Sequence, residues 1–129
     1  MEDRITLSIE LPVEPRRLYE AWLSSKEHSA FTGSLANIAP ELGGHFSAWD
    51  GYIKGRTIGL KPHWRILQTW RTTDFRPNDP DSLVEVLIEK TANGSNLTLN
   101  HSKLPQGQSD SYRQGWIDNY LHPMQEYFK

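Results

Sequence analysis

Histidine is the residue type in this sequence best suited to acid–base or metal chemistry, and it occurs at His28, His45, His63, His101 and His122. No two of them have the i, i+4 spacing that presents two metal ligands on one helix face, and there is no cysteine. We therefore expect no metal site and no other cofactor. His101 differs from the rest because it follows Leu97 and Leu99 at alternate positions, which places all three on one face of a strand.

At that position His101 is open to two interpretations. It could orient a ligand by a hydrogen bond or act as a general base, because the unperturbed histidine pKa lies near neutral pH. It could equally be a structural histidine bonded to a neighbouring side chain, which is the interpretation we favour. No serine stands in a Gly-x-Ser-x-Gly setting and no glycine-rich loop precedes a helix, so nucleophilic hydrolysis and phosphate binding lack support. We predict no catalytic residue.

Gln68 is a second polar residue among apolar ones, since it lies between Ile66 and Trp70 on the same strand parity. A buried amide needs hydrogen-bond partners, which either another side chain, the alternative we favour, or a ligand supplies. The opposite parity of the neighbouring strands carries four charged residues, Arg65, Arg71, Glu85 and Glu89. We expect these to face solvent and to pair across strands.

Aromatic residues offer the remaining chemistry, which is the binding of an apolar molecule. The chain has five Trp, five Tyr and four Phe, and tyrosine hydroxyls can serve as polar groups in an otherwise apolar pocket. The predicted ligand-binding residues are Phe31, Phe46, Gln68, Trp70, Leu99, His101, Tyr112, Trp116 and Tyr120. The alternative is that these side chains simply fill a solid core.

Composition excludes several classes of protein. The chain has 129 residues, 14 basic and 16 acidic, with a formal net charge of −2 and no basic run, so we expect no nucleic acid as partner. No apolar segment approaches the ~18 residues needed to span a bilayer. The N terminus starts Met1-Glu2-Asp3-Arg4, which does not resemble a signal peptide. We therefore expect one domain over residues 1–129, cytoplasmic, as a monomer or homodimer.

The elements that position these residues follow from periodicity. Residues 4–11 alternate as a strand does, and residues 15–23 have helical spacing after Pro15. Ser24 and Glu27 form a capping box for a second short helix that ends before Gly33. Strand patterns then follow over residues 35–39, 45–49, 53–60, 64–73, 83–90 and around 97–101, with turn signals between them.

One long helix, over about residues 110–128, should complete the chain. Ser111 and Gln114 could form its capping box. Its apolar stripe is wide, which favours packing on a sheet. Gly115 costs about 1 kcal/mol inside a helix, so we expect the backbone there to approach another element closely. Pro123 should bend the helix.

These elements predict an α+β fold. A curved antiparallel sheet of about 6–7 strands would carry two short helices after its first strand, and the long C-terminal helix would cross its concave face. One helix cannot cover such a sheet completely, so a cavity can form between them.

Several motifs resemble those of a known superfamily. Gly115-Trp116 in the last helix, followed by Tyr120-Leu121 and Tyr127-Phe128, resembles the C-terminal signature of START-like (SRPBCC) proteins. Within it the chain is similar to the branch named after the activator of the heat-shock-protein-90 ATPase. The segments similar to that branch are Gly43-Gly44-His45-Phe46, Asp50-Gly51 with Gly55, Gln68-Thr69-Trp70-Arg71, the strand pair 84–90 and 96–101, and Arg113-Gln114-Gly115-Trp116.

The resemblance implies a helix-grip fold and leaves three functions open. The first, which we favour, is the binding of a small, largely apolar molecule between the C-terminal helix and the sheet. The second is a co-chaperone-like contact with heat-shock-protein-90 through the convex sheet surface. The third is a cyclase or aromatase, with His101 or a pocket tyrosine as acid or base. Enzyme activity is the less favoured expectation.

Overall fold

The computed structural model describes residues 3–129, so Met1 and Glu2 of the acidic N terminus lie outside the described residues. Seven antiparallel strands form one sheet in the order β1-β7-β6-β5-β4-β3-β2. The strands are β1 (Asp3–Leu11), β2 (Asn37–Ile38), β3 (His45–Ala48), β4 (Ile53–Lys61), β5 (Arg65–Thr72), β6 (Ser82–Thr91) and β7 (Gly94–Leu104). The predicted α+β class and strand number are confirmed.

The register of the sheet brings apolar side chains of five strands onto one face. One such row runs through Leu7 in β1, Leu99 in β7, Val86 in β6, Ile66 in β5 and Leu60 in β4. The three central members of this row are almost fully buried. Because strand side chains alternate between faces, this register fixes which residues point toward the helices and which toward solvent.

Two short helices follow β1, as predicted. Helix α1 (Pro15–Leu23) has proline in its first turn, where the missing N–H is not needed. Helix α2 (Ser25–Thr32) is capped by Ser24, whose hydroxyl accepts a 3.2 Å hydrogen bond from the Glu27 amide. It ends at Gly33, whose φ of 78° is the left-handed conformation that glycine adopts without strain.

The C-terminal helix covers residues 109–127 and consists of α3 (Ser109–Trp116), a π-helical turn (Ile117–Leu121) and α4 (His122–Tyr127). The predicted capping box at Ser111 is wrong, because the helix already begins at Ser109 and Gln114 bonds instead to Asp118, at 3.0 Å. Among residues 3–129, no helix has the length and apolar character that crossing a membrane requires.

Pro123 disturbs the helix by widening it. The His122 amide donates to the Ile117 carbonyl, one residue further back than in an α-helix. A proline ring in a regular helix crowds the carbonyl four residues earlier, and a wide turn at that point relieves the contact. What the structure shows before Pro123 is a local π turn, and the predicted bend of the helix stays a prediction.

Candidate functional site

A cavity of about 220 Å³ lies between the C-terminal helix and the β3–β4 end of the sheet. Tyr52 is 37% exposed and Asn119 is also exposed, so these two residues stand at its mouth. The lining residues are Trp49, Tyr52, Ile53, Trp70, Tyr112, Gly115, Trp116, Asn119 and Tyr120. The wall is therefore mostly aromatic.

The turn between β3 and β4 brings two of these rings to the helix. Trp49 has φ of 53° and Asp50 has φ of 57°, a left-handed conformation that is uncommon for a bulky residue such as tryptophan. Backbone hydrogen bonds hold the turn: the Asp50 amide donates to Leu35 O at 3.0 Å, and the Tyr52 amide to Trp49 O at 3.1 Å. The Asp50-Gly51 turn was predicted, whereas its role in placing Trp49 and Tyr52 was not.

Gly115 lines the cavity with its backbone, because glycine has no side chain to fill the space beside it. A Cβ built there meets only the Asn119 side chain, at 3.9 Å, which is ordinary contact distance. The predicted close approach of the helix backbone to another element is therefore wrong. Glycine at this position leaves space on the cavity side of the helix, at the cost in helix stability noted above.

Hydrogen bonds link the polar groups near the mouth. The Tyr52 hydroxyl donates to Asp74 Oδ2 at 2.5 Å, and the Tyr112 hydroxyl pairs with Thr72 Oγ1 at 2.6 Å. Burial raises the pKa of both tyrosines, and the Asp74 carboxylate adds to the rise in each pKa. Both hydroxyls therefore stay protonated near neutral pH, and the mouth keeps one carboxylate, that of Asp74.

Tyr120 and His28 form a buried pair behind the cavity. The His28 Nδ1–H donates to the Trp22 carbonyl at 2.9 Å, so Nε2 is the acceptor for the Tyr120 hydroxyl at 2.7 Å. Burial lowers the pKa of His28 to about 4, and burial raises that of Tyr120. His28 was not selected from the sequence; its spacing from Phe31 on α2 was the available signal.

Unlike the polar groups described so far, the indole N–H of Trp49 is not hydrogen-bonded within residues 3–129. Among the described residues it has no hydrogen-bond partner, although the atom is fully buried. Its interaction with the Tyr120 hydroxyl opposes part of the rise that burial causes in the pKa of Tyr120. The Tyr120 oxygen and Trp49 thus meet at the cavity wall without a regular bond.

His101 is held by protein groups on both ring nitrogens. The Trp116 indole N–H donates to Nδ1 at 3.0 Å, so Nε2 carries the proton and donates to Ser82 Oγ at 2.8 Å. Ser82 in turn donates to the Trp70 carbonyl at 2.7 Å. Burial lowers the pKa of His101 to about 3. The ring is absent from the cavity wall, and its two bonds correspond to the favoured interpretation of a structural histidine. Strand parity alone does not bring it to the cavity, because Trp116 takes its Nδ1.

Gln68 also has protein partners. Its carbonyl oxygen accepts from the Trp22 indole at 3.1 Å, and its amide donates to Thr57 Oγ1 at 3.1 Å. This arrangement corresponds to the structural alternative. Of the four charged residues on the opposite parity, Arg65 pairs with Glu85 across strands at 2.7 Å, and Arg71 pairs instead with Asp81, just before β6, at 2.7 Å.

The structure brings four of the nine predicted site residues together at the cavity: Trp70, Tyr112, Trp116 and Tyr120. The other three apolar ones lie elsewhere. Phe31 packs among the rings of Trp22 and His28, Phe46 is buried where Gly55 leaves room for its ring, and Leu99 belongs to the central row of the sheet. Five lining residues were not predicted: Trp49, Tyr52, Ile53, Gly115 and Asn119. Whether any of these residues binds a ligand stays a prediction.

No metal-binding arrangement occurs in the described part of the chain: no three or more His, Asp or Glu side chains come close enough to share an ion. The histidines are dispersed, and the two buried ones are committed to Trp22 and Tyr120, and to Ser82 and Trp116. The cavity itself offers rings, amide and hydroxyl groups, which suit the burial and hydrogen bonding of a small molecule.

An antiparallel sheet that wraps a C-terminal helix, with two short helices after the first strand, defines a helix-grip protein of the START-like class. Two solved structures share this arrangement. An HSP90 activator from Plasmodium falciparum superimposes with a TM-score of 0.84 at 26% identity, covering 98% of this chain and 95% of that one. A protein from Chromobacterium violaceum gives a TM-score of 0.79 at 22% identity over 97% and 96% of the two chains, a likeness of fold.

Sequence comparison places the chain more narrowly. Residues 12–129 match the family described as Activator of Hsp90 ATPase homolog 1-like protein, and the chain belongs to this family. The Activator of 90 kDa heat shock protein ATPase homolog of Dictyostelium discoideum is 27% identical over 127 residues. That match covers 96% of this chain and 32% of the relative, so the chain spans about a third of its length.

Proposed function

We propose that this protein binds a small, largely apolar molecule in the cavity between the C-terminal helix and the β3–β4 end of the sheet. The observation that carries the proposal is Gly115, because a helix residue that lowers stability opens space at the point where aromatic rings converge. A solid core would have gained from a side chain there. The mostly aromatic wall and the polar groups at the mouth are typical of small-molecule sites.

The cavity limits the size of the guest. An apolar cavity of about 150 Å³ holds benzene, so about 220 Å³ corresponds to roughly nine non-hydrogen atoms. A guest of this size buries roughly 250 Å² of apolar surface, on the order of 6 kcal/mol at about 25 cal/mol per Å² before the cost of association. Since 6 kcal/mol corresponds to about 40 μM before that cost, we expect dissociation constants from about 0.1 mM into the millimolar range.

Titration of the purified protein with a panel of one- and two-ring compounds tests the proposal. Shifts of the tryptophan indole N–H resonances in two-dimensional NMR report binding, and native mass spectrometry of freshly purified protein reports any copurified guest. Gly115→Leu should place a side chain in the cavity and abolish the shifts. Gln114→Leu is the matched control, because it adds the same side chain to the same turn at an exposed position.

Binding that persists unchanged in Gly115→Leu would place the guest elsewhere and refute the site. Absence of any binding by the wild-type protein, across the panel and in native mass spectrometry, would refute the function. Both variants need thermal unfolding curves so that a loss of binding can be separated from a loss of fold.

A second candidate function is contact with a heat-shock-protein-90 chaperone. Family membership favours it, as do the two relatives described as activators of that chaperone or of its ATPase. The outer face of the sheet offers a suitable surface, because His45 and Arg56 are register partners in β3 and β4, and Lys54 lies beside them. These side chains are exposed and would attract an acidic partner.

Pull-down with the purified chaperone and measurement of its ATPase rate test this candidate. Replacement of Lys54 and Arg56 by Glu should weaken the contact. The matched control replaces Lys26 and Lys129 by Glu, which changes the net charge equally at exposed positions away from β3–β5. Equal weakening by both double variants would indicate a general charge effect, and no contact by the wild-type protein would refute the candidate.

A further inference from the structure

The cavity wall is rich in aromatic rings and lacks basic side chains. Six of its nine residues carry rings: Trp49, Tyr52, Trp70, Tyr112, Trp116 and Tyr120. Four of them form a continuous row, with ring centroids 5.1 Å apart for Tyr112 and Trp70, 5.7 Å for Trp70 and Trp116, and 4.7 Å for Trp116 and Tyr120. None of the nine residues is Lys or Arg. The wall therefore surrounds one small volume with the π systems of six rings.

A carboxylate stands beside this wall. Asp74 accepts the short hydrogen bond from the Tyr52 hydroxyl at the mouth, and its backbone amide donates to Thr72 Oγ1, the partner of Tyr112. The neighbouring cation Arg71 does not cancel this charge at the cavity, because it is paired with Asp81 at 2.7 Å and lies over the Phe75 ring. Asp74 therefore places a carboxylate against the hydroxyl of the lining residue Tyr52, while the exposed Lys54 lies near the same tyrosine outside the cavity.

We propose that the cavity is an aromatic cage for a quaternary ammonium group, which deepens the proposed function and rests on it. A cation over ring faces within about 6 Å of their centroids is attracted by the ring quadrupoles, most strongly when water is excluded. A quaternary nitrogen has no N–H, so it leaves no unsatisfied donor in a wall with few acceptors. A primary ammonium would leave up to three such donors unpaired. The carboxylate of Asp74 at the mouth adds attraction for the positive charge.

Three probes of graded chemistry separate this inference from simple apolar burial. Choline carries the quaternary nitrogen, 3,3-dimethylbutan-1-ol has the same shape with carbon in its place, and ethanolamine keeps the charge but exposes N–H donors. We expect choline to bind at least about fivefold more tightly than its carbon isostere, and ethanolamine not to bind measurably. Calorimetry and the indole N–H shifts in NMR provide the affinities.

Two variants locate the interaction. Tyr52→Leu removes a ring at a 37% exposed position, so the fold should survive, and choline should lose more affinity than the isostere. Tyr52→Phe keeps the ring and serves as its control. Asp74→Asn removes the charge and should weaken choline several-fold while leaving the neutral isostere unchanged, because Asp74 is not a lining residue.

The possible results are distinguishable. If the isostere binds as tightly as choline or more tightly, the ammonium inference is overturned and apolar binding stands. If choline binds but Tyr52→Leu and Asp74→Asn leave its affinity unchanged, the cage is overturned as its site. If neither of these probes nor any compound of the neutral ring panel binds, both the inference and the proposed function are overturned.

Discussion

Replacing Gly115 by Ala should stabilise this protein. The position lies inside α3, without the positive φ that would strain another residue, and a Cβ meets nothing closer than the Asn119 side chain at 3.9 Å. Alanine is more favourable than glycine in a helix interior by about 1 kcal/mol, because it loses less backbone entropy on folding. No clash offsets this gain, so we expect the free energy of unfolding to rise by nearly the full amount.

The expected change in thermal stability follows from the size of the chain. At about 2.1 cal/mol/K per residue, unfolding of 129 residues has an entropy of about 270 cal/mol/K near the midpoint, so 1 kcal/mol corresponds to about 4 °C in Tm. Differential scanning calorimetry resolves a shift of this size. Urea unfolding followed by circular dichroism gives the free energy independently, provided that the slope with denaturant is unchanged.

The same methyl group should weaken binding, because it enters the cavity. A stabilised protein with lower probe affinity would show that glycine is retained here at a cost in stability in favour of function. Gln114→Ala provides the comparison, since it changes helix propensity little at a neighbouring exposed residue. An unchanged or lower Tm in Gly115→Ala would refute the reasoning, because it would mean that the helix backbone needs glycine for packing.

Three further changes test the hydrogen bonds that position the site. Ser24→Ala should cost about 1 kcal/mol in urea unfolding, because the Glu27 amide loses its cap; an unchanged midpoint would contradict this. Gln68→Leu should cost about 1–3 kcal/mol by the same assay, because the Trp22 indole N–H stays buried without its acceptor, and a neutral result would show that water replaces the amide. Finally, stability should be complete above pH 6.5 and fall toward pH 4 by up to about 1.4 kcal/mol per unit for His101, since the unfolded histidine binds a proton that the folded one, with its pKa of about 3, excludes. Urea unfolding at several pH values measures this slope, and a His101→Gln variant that kept the whole slope would contradict the assignment.

The spacing of apolar residues, together with the capping and turn residues between them, was sufficient to predict the order of strands and helices. Alternation across β5 and β6, the cap at Ser24 and the turn at Asp50-Gly51 are local signals, and each depends on residues a few positions apart. The wide apolar stripe of the last helix likewise indicated a sheet partner. Three cavity residues, Tyr112, Trp116 and Tyr120, could be predicted because helical spacing puts them on that stripe, and Trp70 could be predicted from the alternation in β5.

The failures occurred where distant segments meet. Parity put His101 on the inner face, yet Trp116 occupies the space in front of it and takes its Nδ1. Trp49 and Tyr52 flank a turn. The side-chain directions of turn residues do not follow from helical or strand periodicity, so only the position of the helix shows that both line the cavity. Gly115 was interpreted as a packing glycine, since the sequence does not distinguish a glycine that admits a neighbour from one that leaves a space.

The sequence by itself therefore determined which residues are strand, helix and core, because these depend on local propensity and on burying apolar stripes. Only the tertiary structure decided which core residues surround a cavity. That outcome depends on how completely side chains from three separate segments fill one volume, a matter of a few ångströms set by the left-handed turn at Trp49 and the wide helical turn before Pro123.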